Sequence, residues 1–241
     1  MKHQFNGSQM DEKYVQADSF IDHDEEAISD FALRVVGNSS CQTPIDTAVK
    51  LYYAVRDKIF YDPYTLSREP VDYRASNILA KRRGFCVQKA VLLCALARAM
   101  GIPARLGFAT VTNHLASRKL MHFIGTHIFV FHGYTEFWLG QRWIKATPAF
   151  NHELCDKYRV PPLEFNGRDD ALFQPYNSAK KPFMEYIGYH GSFSTVPLQQ
   201  MLKAWEDFYG AERVQGWFDI KCSTFIKERS DFLEEAPFNP E

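Results

Sequence analysis

Residues 82–105 have the sequence RRGFCVQKAVLLCALARAMGIPAR, which is typical of a helix that leads into a strand. From Cys86 onward the apolar residues follow a helical period. The helix is expected to stop at Gly101, because glycine commonly ends a helix and Pro103 cannot continue one. After this point the period changes from 3.6 to 2, so the chain from residue 104 onward predicts a β-strand.

An antiparallel sheet is predicted after this helix, from residues 104–112, 127–139 and 142–147. The last two segments are separated by only two residues, Gly140 and Gln141, which predicts a tight hairpin turn. In that register Trp138 faces Trp143 on the neighbouring strand, and the strand pair forms one continuous surface.

Helices are predicted over residues 18–36, 44–60, 197–209 and 213–235. A short helix is predicted over residues 76–82 with Ser76 as its cap, and residues 61–73 read as a loop. Residues 150–196 are rich in Pro, Gly, Asn and Tyr and are predicted to be irregular. Because no repeat, low-complexity tract or linker interrupts the chain, residues 1–241 are predicted to form a single α+β domain.

Composition and charge exclude several classes of protein. Lys and Arg number 28 and Asp and Glu 29, and no basic stripe stands out, so no nucleic acid partner is expected. No apolar run has the length of a membrane span or a signal peptide, so no membrane partner is expected. The five cysteines are scattered without CxxC pairs, which favours a reduced protein in the cytoplasm.

Two of these cysteines, Cys86 and Cys94, belong to the opening helix but differ in position. Cys94 lies in the helix interior and is interpreted as a small core residue. Cys86 lies at the first turn, where the helix dipole favours a thiolate, and Arg82 and Arg83 would add to this effect if they pointed toward the sulfur. Gly84 would let the chain enter the helix tightly. A buried capping cysteine is the alternative interpretation of Cys86.

A histidine base for this cysteine is predicted in the second strand. Strand alternation places one set of residues on a polar face: His132, Tyr134, Glu136 and Trp138. The opposite set is predicted to face the core: Phe129, Phe131, Phe137 and Leu139. Thr147 lies diagonal to His132 on the polar face, at an expected Cβ separation of about 7–8 Å. This face is either part of an active site or simply solvated.

Two blocks, GFCVQKAVLLCALARAMGIPAR at 84–105 and HGYTEFWLGQRWIKATP at 132–148, resemble the transglutaminase-like superfamily of papain-type cysteine enzymes. The resemblance covers roughly residues 50–150. It implies a papain-like α+β fold with the nucleophile at the start of a central helix packed on an antiparallel sheet, and extra helices at both ends. It also implies that Cys86 is the nucleophile and His132 the general base.

The third catalytic position departs from the family pattern. Where the family usually has aspartate before proline, this chain has Thr147, which can accept a hydrogen bond but carries no charge. Papain-like enzymes can use asparagine to orient the histidine. Asn151 is therefore a candidate substitute, and Asp156 and Asp169 are weaker ones.

The resemblance implies acyl transfer through a thioester, with a peptide, protein or small amide as substrate and no cofactor. Hydrolysis is favoured over crosslinking, and no acidic cluster with the spacing of a calcium loop is visible. The aromatic residues of segment 158–193 either wall the cleft or pack over the sheet. The alternative function is an inactive fold that binds peptides or proteins. The sequence leaves the oligomeric state open.

A metal site is a further alternative, built from His114, His122, His127, His132 and a cysteine. Their spacing matches no zinc pattern, so no metal is expected. Metal analysis of the purified protein is expected to find no stoichiometric zinc, and one zinc ion per chain would contradict this prediction.

Overall fold

The computed structural model describes residues 11–37, 43–114, 116–173, 176, 183–219 and 232–235. Within them the helices are α1 Glu26–Val36, α2 Pro44–Lys58, α3 Ala75–Lys81, α4 Cys86–Ala99, α5 Arg118–Ile124, α6 His152–Tyr158, α7 Leu198–Tyr209 and α8 Ala211–Asp219. The strands are β1 Phe60–Tyr61, β2 Arg83–Gly84, β3 Ala104–Asn113, β4 Ile128–Leu139, β5 Arg142–Ala146 and β6 Met184–Phe193. Short 3₁₀ turns cover Glu12–Tyr14, Pro70–Tyr73 and Phe232–Glu234.

Helix α4 is the centre of the core. Every residue from Cys86 to Arg98 is buried, as expected for a helix that is mainly apolar on all sides. Helices α1, α2 and α3 pack on one side of it, and strands β3 and β4 pack on the other. Its one buried lysine, Lys89, is satisfied by donating a hydrogen bond of 2.9 Å to the carbonyl of Arg56. The predicted helix is therefore confirmed, with Cys86 as its first residue.

The four main strands form an antiparallel sheet in the order β5-β4-β3-β6. The β4–β5 hairpin has the predicted register, in which Trp138 pairs with Trp143. Gly140 and Gln141 both have positive φ angles, 56° and 66°, as a two-residue type I′ turn requires. Strands β1 and β2 form a separate parallel pair, in which Tyr61 lies beside Gly84.

The structure corrects the sequence prediction near the N-terminus. Helix α1 begins at Glu26 rather than at residue 18. Before the helix, the Asp18 side chain accepts hydrogen bonds from the backbone N–H groups of Phe20 and Ile21, which holds these residues in a turn. Ser76 does not cap α3, whose N-cap position is Arg74; it instead bonds Asp22 through its backbone N–H and its hydroxyl.

The segment predicted to be irregular, 150–196, contains α6 and β6. Strand β6 lies at the edge of the sheet and leaves Ile187 and Tyr189 exposed, so its apolar residues do not mark a buried face. At the C-terminus, α7 is confirmed. The helix predicted over 213–235 is observed as α8 and a separate 3₁₀ turn, and residues 220–231 lie outside the described part of the chain.

Strand β4 approaches the first turns of α4 very closely. The Thr135 hydroxyl donates a hydrogen bond of 2.9 Å to the Ala90 carbonyl of α4. At Gly133 a Cβ atom would lie only 2.8 Å from the Cα of Val87, so only glycine fits at this point without a backbone shift. The contact fixes the position of β4 relative to the start of α4.

Replacing Gly133 by alanine is expected to lower the free energy of unfolding by about 1–3 kcal/mol, because the strand and helix must move apart. Urea unfolding measures the change. Gly188→Ala is the matched control, since its added Cβ meets nothing closer than Thr110 Cβ at 3.9 Å. Equal effects of the two substitutions would contradict the close contact at Gly133.

Candidate active site

Cys86 begins α4 and is only 8% exposed. The preceding residue, Phe85, donates its backbone N–H to Gln88 Oε1 at 3.1 Å, and the Gln88 amide donates in turn to the Asp72 carbonyl at 2.9 Å. At Gly84 an added Cβ would lie 2.9 Å from Gln88 Cβ, so the glycine allows the tight entry that the sequence predicts. The helix start that carries the thiol is therefore held rigidly.

His132 lies on β4 and lines the same cavity as Cys86. The cavity has a volume of about 40 Å³, and the imidazole is 5% exposed. Its Nε2 atom is buried and has no hydrogen-bond partner in the described part of the chain. The structure thus places the two residues that the sequence singles out on the wall of one cavity, and one imidazole nitrogen has no described hydrogen-bond partner.

A bulge in β4 precedes His132. His132 pairs with Ala109 of β3, and Phe129 pairs with Val111. Three steps along β4 therefore match two steps along β3, so β4 has one extra residue there. Phe131, in the bulge, has a φ of 60°, which is uncommon for a residue other than glycine. Both Phe131 and His132 line the cavity, whereas strict alternation predicts opposite faces. The bulge is the physical reason for this correction, because it redirects side chains along the strand.

Both faces of β4 are buried beyond the bulge, so the polar face is not solvated. Glu136 is 2% exposed and forms an ion pair with Arg105 of β3. It also accepts a hydrogen bond of 3.0 Å from the Ser192 hydroxyl of β6. Glu136 therefore stabilises the sheet on the face away from α4 and is not a partner of His132.

Burial keeps both members of the Cys86–His132 pair neutral. Desolvation raises the pKa of the Cys86 thiol to about 11, although the nearby backbone N–H groups of Gly133, Val87 and Cys86 itself act in the opposite direction. Desolvation also lowers the pKa of His132 to about 4. At neutral pH the site therefore holds a thiol and an uncharged imidazole.

The two arginines before Cys86 do not stabilise a thiolate. Arg83 pairs with Asp62, with 3.3 Å between Nη1 and Oδ2. Arg82 is exposed and ends α3 in a left-handed conformation. Neither side chain is among the causes of the Cys86 pKa shift, so this expectation from the sequence was wrong.

Thr147 is buried next to Tyr186, one of the aromatic residues of segment 158–193 for which the sequence left open a place in the cleft wall or over the sheet. Its hydroxyl shares a hydrogen bond of 3.4 Å with the hydroxyl of Tyr186 on β6. The Tyr186 ring in turn lies edge-on to the imidazole of His132, with 5.9 Å between ring centroids. Phe173 flanks the imidazole at a centroid distance of 6.0 Å. Thr147 therefore contacts Tyr186, and Tyr186 in turn packs against His132.

The three substitutes for the missing aspartate are engaged elsewhere. The Asn151 amide donates to the carbonyls of Arg56 and Ile59, and its oxygen accepts the Tyr61 backbone N–H at 2.6 Å. Asp156 pairs with His152 on the exposed side of α6, and Asp169 accepts a hydrogen bond from Asn166. None of the three forms a described hydrogen bond with His132. Asn151 instead fixes the strand that carries Tyr61.

Helices α7 and α8 cover the cavity with aromatic side chains. Trp205 donates its indole N–H to the Val130 carbonyl at 3.0 Å, and Tyr209 accepts the Val130 backbone N–H at 2.7 Å. Trp217 of α8 donates to the Phe123 carbonyl at 2.9 Å. These three rings line the cavity with Cys86 and His132. The sequence predicts these helices but contains no signal that they cover the site.

The histidines of the metal hypothesis lie in different elements. His122 is exposed on α5, His114 follows β3, and His127 Nδ1 lies 3.3 Å from the Asn113 carbonyl. Among the residues with described positions, no group of three or more His, Cys, Asp or Glu side chains could hold a metal ion. Nor does any helix in these ranges have the length and apolar character needed to cross a membrane.

Comparison with known proteins identifies a relationship that covers the Cys86 helix and the β4–β5 hairpin. The family model of the transglutaminase-like superfamily matches residues 30–148. A solved structure of a candidate cysteine protease from Cytophaga hutchinsonii is similar at 18% sequence identity and a TM-score of 0.42. That match covers 56% of this chain and 40% of the other, so the chain spans less than half of that protein. No curated protein matches.

The buried imidazole is expected to make stability depend on pH. The pKa of His132 is about 4 in the folded protein, and its ordinary value is 6.5. Between pH 4 and pH 6.5 the unfolded protein therefore binds a proton at this residue that the folded protein does not. Stability should therefore fall by about 3 kcal/mol as the pH drops from 7 to 4, and the loss should level off below pH 4. Urea unfolding of the wild type and of His132→Gln measures this contribution as the difference between their pH dependences.

The control for this measurement is His122→Gln, which removes an exposed histidine and should keep the pH dependence of the wild type. An unchanged pH dependence in His132→Gln would show that the imidazole titrates normally in the folded protein.

Proposed function

Because residues 30–148 belong to the transglutaminase-like superfamily, we propose that the protein is a cysteine-dependent acyl-transfer enzyme. Cys86 is the nucleophile and His132 the general base. The observation that carries this proposal is the shared cavity, where the thiol at a helix start and an imidazole nitrogen without a partner lie among aromatic rings. Cys94, in the same helix, is fully buried among apolar residues and has no such surroundings.

The reaction begins with a neutral pair, so the proton moves as the sulfur attacks. His132 Nε2 accepts the Cys86 proton while an S–C bond forms to the amide carbonyl carbon. The Cys86 backbone N–H donates to the resulting oxyanion. The C–N bond then breaks, the imidazolium returns the proton to the departing amine, and a thioester remains. Water attacks the thioester with His132 again as base, which releases the acid and restores the thiol.

The surroundings of the imidazole can replace only the orienting role that a carboxylate has in other triads, because burial disfavours the charged ring. A carboxylate orients the histidine and stabilises its charged form. Here Thr147 and Tyr186 position the ring without charge, so the imidazolium that forms between attack and release of the amine is less stable. The expected consequence is a slow enzyme whose base stays active down to about pH 4.

Hydrolysis of a peptide or other amide is the proposed reaction, with water as the acyl acceptor. The free thiol requires a reducing compartment, and the cytoplasm meets this requirement. The second candidate is a binding module for peptides or proteins. It is favoured by the burial of Cys86 and His132 and by the neutral third position at Thr147.

Incubation with p-nitrophenyl acetate tests the enzyme hypothesis without knowledge of the natural substrate. We expect one acetyl group on Cys86, followed by turnover, detected by mass spectrometry and by nitrophenolate absorbance. Cys86→Ala should abolish both signals, and His132→Gln should slow the reaction about 10²–10⁴-fold. Cys94→Ala is the matched control from the same helix and should react like the wild type.

The binding-module candidate predicts a different result in the same experiment. Cys86 would then react no faster than the other thiols, and the rate would be the same with or without His132. Either outcome with a folded protein would exclude the proposed acyl transfer.

A further inference from the structure

The chain binds its own C-terminal segment, Phe232–Glu235, in a cleft next to the candidate active site. The Phe232 ring is 6% exposed and packs against three tyrosine rings. Its centroid lies 5.8 Å from that of Tyr61, 6.1 Å from that of Tyr64 and 6.1 Å from that of Tyr158. Without the phenyl ring, these aromatic side chains would lose much of their packing. We call this aromatic cleft, together with the polar site described next, the tail cleft.

A polar site in the tail cleft holds the carboxylate of Glu235, which is 8% exposed. The Tyr64 hydroxyl donates to both carboxylate oxygens at 2.9 Å, and the Ser117 hydroxyl donates to one of them. Lys119 Nζ lies 3.5 Å from Oε1. The neighbouring Glu234 is exposed. Among the side chains of the segment whose burial is described, the cleft therefore holds an aromatic ring and, three residues later, a carboxylate.

Tyr61 connects the tail cleft to Cys86. Its side chain lines the cavity that Cys86 and His132 also line, and it lines a second cavity, of about 20 Å³, together with Phe232. Burial raises the pKa of the Tyr61 hydroxyl, and the electrostatic influence of Cys86 adds to this shift. A peptide bound in the tail cleft is therefore separated from the thiol by one aromatic side chain.

We propose that the tail cleft is a substrate-binding subsite for peptides with an aromatic residue followed three residues later by an acidic one, and that Phe232–Glu235 competes for it. This inference rests on the proposed acyl transfer, since it assigns the peptide class that reaches Cys86. The physical basis is complementarity. The tyrosine rings bury an aromatic side chain, and two hydroxyl donors and an ammonium group satisfy a carboxylate that would otherwise be costly to bury.

The chain's own segment must be displaced before a peptide can bind. A tethered ligand competes at an effective concentration in the millimolar range, so a free peptide at micromolar concentration binds poorly to the wild type. The double variant Phe232→Ala/Glu235→Gln removes the phenyl ring and the carboxylate that the tail cleft holds. Glu234→Gln is the matched control, because it removes an equal charge from an exposed position.

Fluorescence anisotropy with a labelled peptide of sequence DFLEEA, residues 231–236, tests the inference. We expect the double variant to bind the peptide at least about tenfold more tightly than the wild type or Glu234→Gln. A peptide with Phe→Ala, or with Gln at the Glu235 position, should bind the double variant at least about tenfold more weakly. Adding Lys119→Met to the double variant should weaken binding of the acidic peptide more than binding of the peptide with Gln at the Glu235 position.

Hydrogen exchange on the wild type provides a second measurement that does not depend on the double variant being folded. At millimolar peptide, exchange at residues 232–235 should become faster as the segment is displaced. Absence of this effect, or equal affinity of the double variant for the peptide and its altered forms, would overturn the inference.

The two proposals fail separately. Acetylation of Cys86 by a small ester does not need the tail cleft, so loss of acetylation rejects acyl transfer and with it the substrate role of the cleft, while peptide binding is still decided by the anisotropy measurement. Conversely, if Cys86 is acetylated but no peptide binds, the tail cleft is a structural contact and the substrate assignment is wrong.

Discussion

The close contact between strand β4 and the start of helix α4 is the constraint on which the candidate site depends. Gly133 lies against the backbone of Val87, and any larger residue would push the strand away. The Thr135–Ala90 hydrogen bond fixes the same strand one turn farther along the helix. Because His132 directly precedes Gly133, and Cys86 directly precedes Val87, this one contact also brings the imidazole and the thiol into a common cavity.

The same close packing sets the protonation states of the site. A cysteine at a helix start is usually expected to favour the thiolate. Here the loss of water is the larger effect, and it moves the pKa values of Cys86 and His132 apart rather than together. Arg83 is paired with Asp62 and is not among the groups that act on the thiol. The resulting neutral pair is consistent with an uncharged third position, since Thr147 and Tyr186 have no imidazolium to stabilise in the resting state.

Aromatic packing links the site to the rest of the chain. Rings from α7 and α8 cover the cavity of Cys86, and Tyr61 separates that cavity from the tail cleft. Asn151 holds the backbone of Tyr61 in place, which gives this residue a structural role. Residues far apart in the sequence therefore decide which molecules could approach the thiol.

The resemblance to the transglutaminase-like superfamily singled out Cys86 and His132, and the sequence by itself determined helix α4, the β3–β5 strands and the register of the hairpin. These features depend on local periodicity and turn chemistry, which a short segment contains in full. Only the tertiary structure decided the bulge before His132, the edge strand β6 with Tyr186, the ion pair of Arg83 and the position of the C-terminal segment. The physical reason is that desolvation, ring packing and hydrogen-bond partners depend on distant residues, which no local pattern in the sequence identifies.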